Sequence, residues 1–278
     1  MNGNVRLGTV GVWRGNDEVD AALAVRIQEL GYGALWLGGS PGADLTRAEE
    51  VLDATDSLQV ATGIVNIWKA DAAELADSFH RIEARHPGRL LLGIGSGHRE
   101  ATAERARPVA AMAAYLDVLD ERGVPVDARV LSALGPRMLR LAAERSAGTH
   151  PYLTVPAQTT EARSALGPDA LVAPEVTVVL DDDASRARAT ARRFLRRYLA
   201  LSNYTGNMRR AGFTDDDLAD GGSDALVDAI VAHGDAGVLA AAVRAHLDAG
   251  ADHVCVQVQP SGDVDRTLTA LADALALS

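Results

Sequence analysis

The residues of this chain that could do chemistry stand at the ends of apolar segments, and most of them are neutral. In Val60-Ala61-Thr62-Gly63-Ile64-Val65-Asn66-Ile67-Trp68 a glycine interrupts a strand-like run, which then ends on an amide and an indole. Glycine weakens a strand and marks a bulge or a close approach to the backbone. Gly63 therefore reads either as the seat of a cofactor ring on a distorted strand end or as a small residue in a tight packing layer. Gly95-Ser96-Gly97-His98 follows the next apolar run, and its glycines expose backbone N–H groups that can face an anion or a ring carbonyl. His98 and His150 are of the one residue type whose ordinary titration, at about pH 6.5, allows proton transfer at neutrality. For each, a role limited to hydrogen-bonding a loop or a ligand is the plainer reading. Trp36 sits mid-strand and reads as core, whereas Trp13 and Trp68, at segment ends, read equally as core or as walls for a flat ring.

Several chemistries are excluded by what these positions lack. The segment ends hold no carboxylate pair of the kind a glycosidase needs. The seven histidines are scattered, with no metal-ligand spacing, so no metal site is expected. Gly95-Ser96-Gly97 is not the G-x-S-x-G of a nucleophile elbow, and no G-x-G-x-x-G follows the first strand. A site of backbone and neutral side chains suits a planar organic cofactor that brings its own reactivity.

Eight strand candidates must position these residues: Val5 to Val12, Ala34 to Leu37, Leu58 to Ile67, Arg89 to Ile94, Ala128 to Leu134, His150 to Val155, Val176 to Leu180 and His253 to Val258. Helical periodicity fills the intervals, with Val19, Leu23, Ile27 and Leu30 in one and Met112, Leu116 and Leu119 in another. Asp17, Asp71, Pro136 and Asp183 stand where helices should start, and Gly31, Gly123 and Gly250 where they should end. Alternating β and α units imply a parallel sheet, and eight of them imply a (β/α)8 TIM barrel, spanning 1–278 as a single domain, with an open doubly wound sheet as the alternative. Its chemistry then belongs at the C-terminal strand ends, among Trp13, Gly39, Asn66, Gly95, Ser96, Gly97, Gly135, Thr154 and Gln257.

Composition narrows the partners. A net charge of −11 disfavours nucleic acid, which needs a basic face. The basic run from Arg186 to Arg197 follows Asp181-Asp182-Asp183, the charge order that complements a helix dipole, and reads as a solvated helix. Cys255, the single cysteine, permits no internal disulfide. No apolar run approaches the roughly 18 to 20 residues of a membrane span. A soluble, cytoplasmic protein is expected.

Arg89-Leu-Leu-Leu-Gly-Ile-Gly after Arg85-His86-Pro87, with Ala61-Thr62-Gly63-Ile64 and Gly250-Ala251-Asp252-His253-Val254, resembles the luciferase-like monooxygenase superfamily. Leu35-Trp36-Leu37-Gly38-Gly39-Ser40-Pro41, Gly63-Ile64-Val65-Asn66-Ile67-Trp68, Leu134-Gly135-Pro136-Arg137-Met138-Leu139 and His150-Pro151-Tyr152-Leu153 resemble its actinobacterial branch that uses coenzyme F420, a 5-deazaflavin. The resemblance spans almost the whole chain. It implies a TIM barrel of the bacterial-luciferase type, a homodimer, and a small organic substrate reduced or oxidised by hydride transfer. It also implies a non-proline cis peptide at Gly63-Ile64 forming a bulge behind the cofactor ring.

Two departures keep other readings open. Where many deazaflavin relatives carry an acid or histidine after the second strand, this chain has Gly38-Gly39-Ser40, which leaves His98 and His150 as substitute proton carriers. An FMN-dependent monooxygenase shares the fold, and a barrel that binds a ligand without turnover is the third alternative. The acidic chain would also repel a cofactor bearing phosphate and polyglutamate over a Debye length of ~8 Å. Local donors around Gly135, at the start of the Pro136 helix, and around Thr154 must then hold the phosphate.

Overall fold

The computed structural model describes residues 6–97 and 107–277. β1 (Val10–Gly15), α1 (Ala21–Glu29), β2 (Ala34–Gly38), α2 (Thr46–Ala54) and β3 (Gln59–Gly63) open the alternation. β4 (Val65–Asn66) resumes β3 after a break, and α3 (Ala72–Arg85), β5 (Leu90–Gly95) and α4 (Pro108–Glu121) follow. Next come β6 (Arg129–Leu131), α5 (Pro136–Arg145), β7 (Gly148–Thr149), α6 (Pro156–Leu166), β8 (Leu171–Val172) and β9 (Glu175–Leu180). An excursion through α7 (Ala184–Leu199), α8 (Ser202–Arg210), α9 (Asp215–Leu218) and α10 (Asp224–Ile230) leads to β10 (Val231–Gly234). The described fold is completed by α11 (Ala236–Asp248), β11 (Val254–Val258) and α12 (Val264–Leu275).

The strands pair in parallel in the order β10-β9-β11-β1-β2-β3-β5-β6-β7-β8, with β4 on β5. The sheet closes because β8 and β9 are two stretches of one extended segment, 171–180. On one side Ala173 N donates to Thr149 O at 2.9 Å and Glu175 N to Pro151 O at 3.0 Å. On the other, Asp252 N donates to Val172 O at 2.9 Å and Cys255 N to Pro174 O at 3.0 Å. Eight positions result: β1, β2, β3 with β4, β5, β6, β7, the 171–180 segment, and β11. β10 is an addition, pairing with the outer half of β9 from Val231 against Thr177 to Gly234 against Leu180.

Side-chain alternation along each strand separates two cores. Val12, Leu35, Leu37, Val60, Leu92, Val178 and Val256 face outward onto the helices. Trp13, Ala34, Trp36, Ala61, Leu91, Val130, Ala173 and Cys255 fill the barrel itself. The helices begin where the sequence provides side-chain acceptors: Asp71 accepts from the N–H groups of Ala73 and Glu74, and Asp183 from that of Arg186. Gly31, Gly123 and Gly250 follow the ends of α1, α4 and α11 with positive φ, which costs glycine no Cβ clash.

Some expectations need correction. Asp17 lies in a 3-10 turn, Asn16–Glu18, and α1 is capped instead by Asp20, which accepts from Leu23 N. The first strand starts at Val10 rather than Val5, and the fifth spans only Arg129–Leu131. The sixth is Gly148–Thr149, not His150 to Val155; Pro151 has no N–H for a ladder, and Leu153 adopts φ 54°. No helix among the described residues is long and apolar enough to cross a membrane.

Candidate active site

The C-terminal strand ends form one rim, and its glycines make room for large rings. A Cβ on Gly38 would lie 1.8 Å from Trp13 Cζ2, and one on Gly63 would lie 2.7 Å from Trp13 Nε1. The Trp13 indole therefore lies across both glycines, and its N–H donates to Gly63 O at 3.0 Å. Between Gly63 and Ile64 the peptide is cis, and there the ladder passes from β3 to β4. Both residues are half-buried, whereas Ala61 and Thr62 before them are buried. The Ile64 side chain leans over Gly93 and Gly95, which have no Cβ to obstruct it. The bulge predicted at Gly63-Ile64 is thus present and opens to the rim.

Beside it, Asn66 accepts from Trp68 N at 3.0 Å and packs its amide on Gly97. Trp68 Nε1 donates to Ser96 O at 2.9 Å. Asn66, Gly95, Ser96 and Gly97 therefore gather at one point of the rim, while His98 lies outside the described residues. Gly135 caps α5, with Pro136 as its first residue. Arg210, from α8, sits over this end and donates to Leu134 O at 3.2 Å and Asn207 Oδ1 at 2.8 Å. Thr154 is buried, and its Oγ1 has no hydrogen-bond acceptor or donor among the described residues.

Beneath the rim the barrel interior is polar. His150 is 1% exposed and stacks on Trp36 with centroids 4.0 Å apart, so side chains from opposite walls meet at the axis. Its Nδ1 donates to Ala173 O at 2.7 Å, which leaves Nε2 as an acceptor; that atom is unpaired and would be 3.3 Å from a Cβ on Gly63. Burial pulls its pKa down to about 4, so the ring is neutral. His253 accepts from Trp36 Nε1 at 3.0 Å and is likewise held near 4 by burial. Glu175, not singled out from the sequence, is buried here, and desolvation pushes its pKa up to about 8 although Thr177 Oγ1 donates to it at 2.5 Å.

A chain of hydroxyls links this interior to a cavity of about 440 Å³ between α7 and the ends of β1, β2 and β11. Trp13, Gly39, Arg193, Phe194, Arg197 and Gln257 are among its lining residues. Arginine can only donate, so the Arg197 guanidinium donates to Tyr198 OH. Gln257 Oε1 can only accept, so Tyr152 OH donates to it, at 2.5 Å. The 2.8 Å contact between the two phenols must then run from Tyr198 to Tyr152. The chain thus ends on the carbonyl of Gln257, which lines the cavity. Of the ring-binding positions read from the sequence, Trp13 and Gly39 line this cavity; Gly63 touches it through Trp13. The others are not among its lining residues.

Comparison with known proteins bears on the fold. Residues 20–122 match the family model described as luciferase-like monooxygenase. No curated protein matches the chain. Among solved structures, an F420-dependent secondary alcohol dehydrogenase in complex with an F420-acetone adduct superposes with a TM-score of 0.75 at 13% identity, covering 97% of this chain and 98% of that one. The two share one fold. The coenzyme F420-dependent tetrahydromethanopterin reductase from Methanopyrus kandleri shares the fold at TM-score 0.72 and 16% identity, with 97% and 98% covered. The oxygenating constituent of 3,6-diketocamphane monooxygenase from Pseudomonas putida, in complex with FMN, gives 0.68 and 15% over 97% and 98%. The fold of this chain thus has both deazaflavin and flavin enzymes among its structural neighbours.

Proposed function

We propose that the protein is an oxidoreductase, a cytoplasmic homodimer, that transfers a hydride between coenzyme F420 and a small organic substrate. The observation that carries this reading is the cation-flanked start of α5. There the Arg210 guanidinium stands 4.0 Å from where a Cβ on Gly135 would lie, with the Arg137 N–H of the first turn beside it, as an anionic group requires. Thr154, whose buried hydroxyl is unpaired, adds a donor near the same end. Gly63, Ile64, Asn66, Gly95, Ser96 and Gly97 supply backbone and small side chains against the ring, and Trp13 and Gly39 border it.

The cofactor supplies the hydride chemistry; this chain's residues orient, desolvate and handle protons. Neutral His150, its Nδ1 proton committed to Ala173 O, acts as an acceptor beneath the bulge. His98, outside the described residues, is the other proposed proton carrier. The Arg197, Tyr198, Tyr152 and Gln257 chain holds Gln257 in one orientation toward the cavity. A second reading, an FMN monooxygenase, has the FMN-bound neighbour in its favour.

The two are separated by titrating purified protein with the deazaflavin and with FMN at low and physiological salt while following tryptophan fluorescence. The expected result is saturable deazaflavin binding, little dependence on tail length, and an affinity about tenfold weaker in Arg210→Gln, the scale of a lost charge-assisted hydrogen bond. Saturation by FMN with none by the deazaflavin rejects the proposal in favour of the monooxygenase.

A further inference from the structure

The cavity between α7 and β11 has a local charge opposite to that of the chain. The sequence as a whole carries −11, yet the charged residues lining the cavity are Glu18, Arg193 and Arg197. Glu18 is matched internally by Arg14, 3.0 Å away and buried. Arg193 donates to Thr190 Oγ1 and Arg197 to Tyr198 OH, and neither has an acidic neighbour in salt-bridge range among the described residues. On α7, Arg186, Arg188 and Arg192 are paired with aspartates, whereas among the described residues Arg193, Arg196 and Arg197 have no such pairing, and of these Arg193 and Arg197 line the cavity. Two unneutralised guanidiniums one helical turn apart therefore line a cavity that Gln257, Phe194 and Trp13 also line.

This site is separate from the start of α5. β1 and β6 are four positions apart in a ring of eight, so they face each other; the cavity sits over β1 and β11, and α5 follows β6. A cofactor phosphate at α5 leaves the arginine pair unclaimed. We propose that Arg193 and Arg197 hold the oxyanion of the substrate, a carboxylate or phosphate ester on an organic body, with Gln257 donating to a neighbouring carbonyl or hydroxyl. Guanidinium forks suit either oxyanion bidentately, and the aromatic walls suit an apolar body. The inference rests on the redox reading for its account of why a substrate binds there.

Trp13 in the cavity wall makes intrinsic fluorescence a direct reporter. The full-length protein is titrated with benzoate, phenyl phosphate and uncharged benzamide, with and without saturating deazaflavin. Saturable binding of one or both anions, at least about tenfold tighter than benzamide and weakening with salt, is expected; the tighter anion identifies the group. Arg193→Gln, remote from the tyrosine chain, should weaken anion binding about tenfold, as should Arg197→Gln, whereas Arg210→Gln should not. Equal binding of benzamide, absence of saturable anion binding, or arginine variants that lose the deazaflavin but keep the anions would each overturn the proposal. Selective anion binding in a protein that takes up neither deazaflavin nor FMN supports the site and counts against the redox reading alone.

Discussion

At the scale of residues, the rim is built by what is missing. Gly38 occupies the position where a proton-handling side chain was sought, and the reason is steric: the Trp13 indole fills the space that any Cβ there would need. Gly38→Ala should therefore expel the indole, break its bond to Gly63 O, and cost about 1–3 kcal/mol in urea unfolding. In a Trp13→Ala background the same substitution should cost far less, a coupling that a double-mutant cycle reads directly. Equal costs in the two backgrounds would remove this explanation of the glycine. The sequence signalled Gly63, because a glycine inside an apolar run is locally anomalous. It did not signal Glu175, and it placed Gln257 at a strand end without its Tyr152 partner, because such roles depend on which atoms meet across the barrel. Nor did it signal Arg210, which reaches the start of α5 from α8.

At the scale of elements, local chemistry was readable and tertiary pairing was not. Asp71, Pro136 and Asp183 mark helix starts through their own backbone preferences, and α3, α5 and α7 begin there. Asp71→Ala should lower stability by about 1 kcal/mol, because its carboxylate accepts two N–H groups of the first turn; a change within error in guanidinium unfolding would show that water replaces the cap. β8 and β10 escaped notice because two apolar residues, or the four of Val-Ala-His-Gly, have no periodicity of their own and are strands only by virtue of their neighbours. The arginine face of α7 divides for the same reason. Its aspartate-paired members fit the solvated helix read from the sequence, while Arg193 and Arg197 meet a cavity that only the closed barrel creates.

At the scale of the whole molecule, the buried ionisable groups set a stability optimum. His150, His246 and His253 are held near pKa 4 by burial, against about 6.5 unfolded. Their contribution is present above pH 6.5 and is lost as pH falls toward 4, because the unfolded chain takes up the protons. Glu175 has the opposite sign: its folded pKa of about 8 exceeds the unfolded value of about 4.3, so its contribution, full in acid, is lost as pH rises to 8. Between these limits three histidines outweigh one glutamate below pH 6.5, and the glutamate acts alone above it. Unfolding free energy measured against pH should peak near 6.5, and Glu175→Gln should flatten the alkaline side. A profile still rising from pH 7 to 8 in the parent protein would contradict this assignment.

A sheet rolled into a closed barrel has no margins, and the excursion through α7 to α10 gives this one a margin again. β10 pairs only with β9 among the described strands, so one side of Val231–Gly234 offers backbone groups that another extended chain could adopt. Its brevity is the safeguard: four residues, ended by Gly234 at φ 133°, with the His233 ring tied to Asp228 at 2.8 Å, make a poor template. Lengthening this strand with β-branched residues would turn a sealed cylinder into a surface prone to self-association, without changing any residue of the rim.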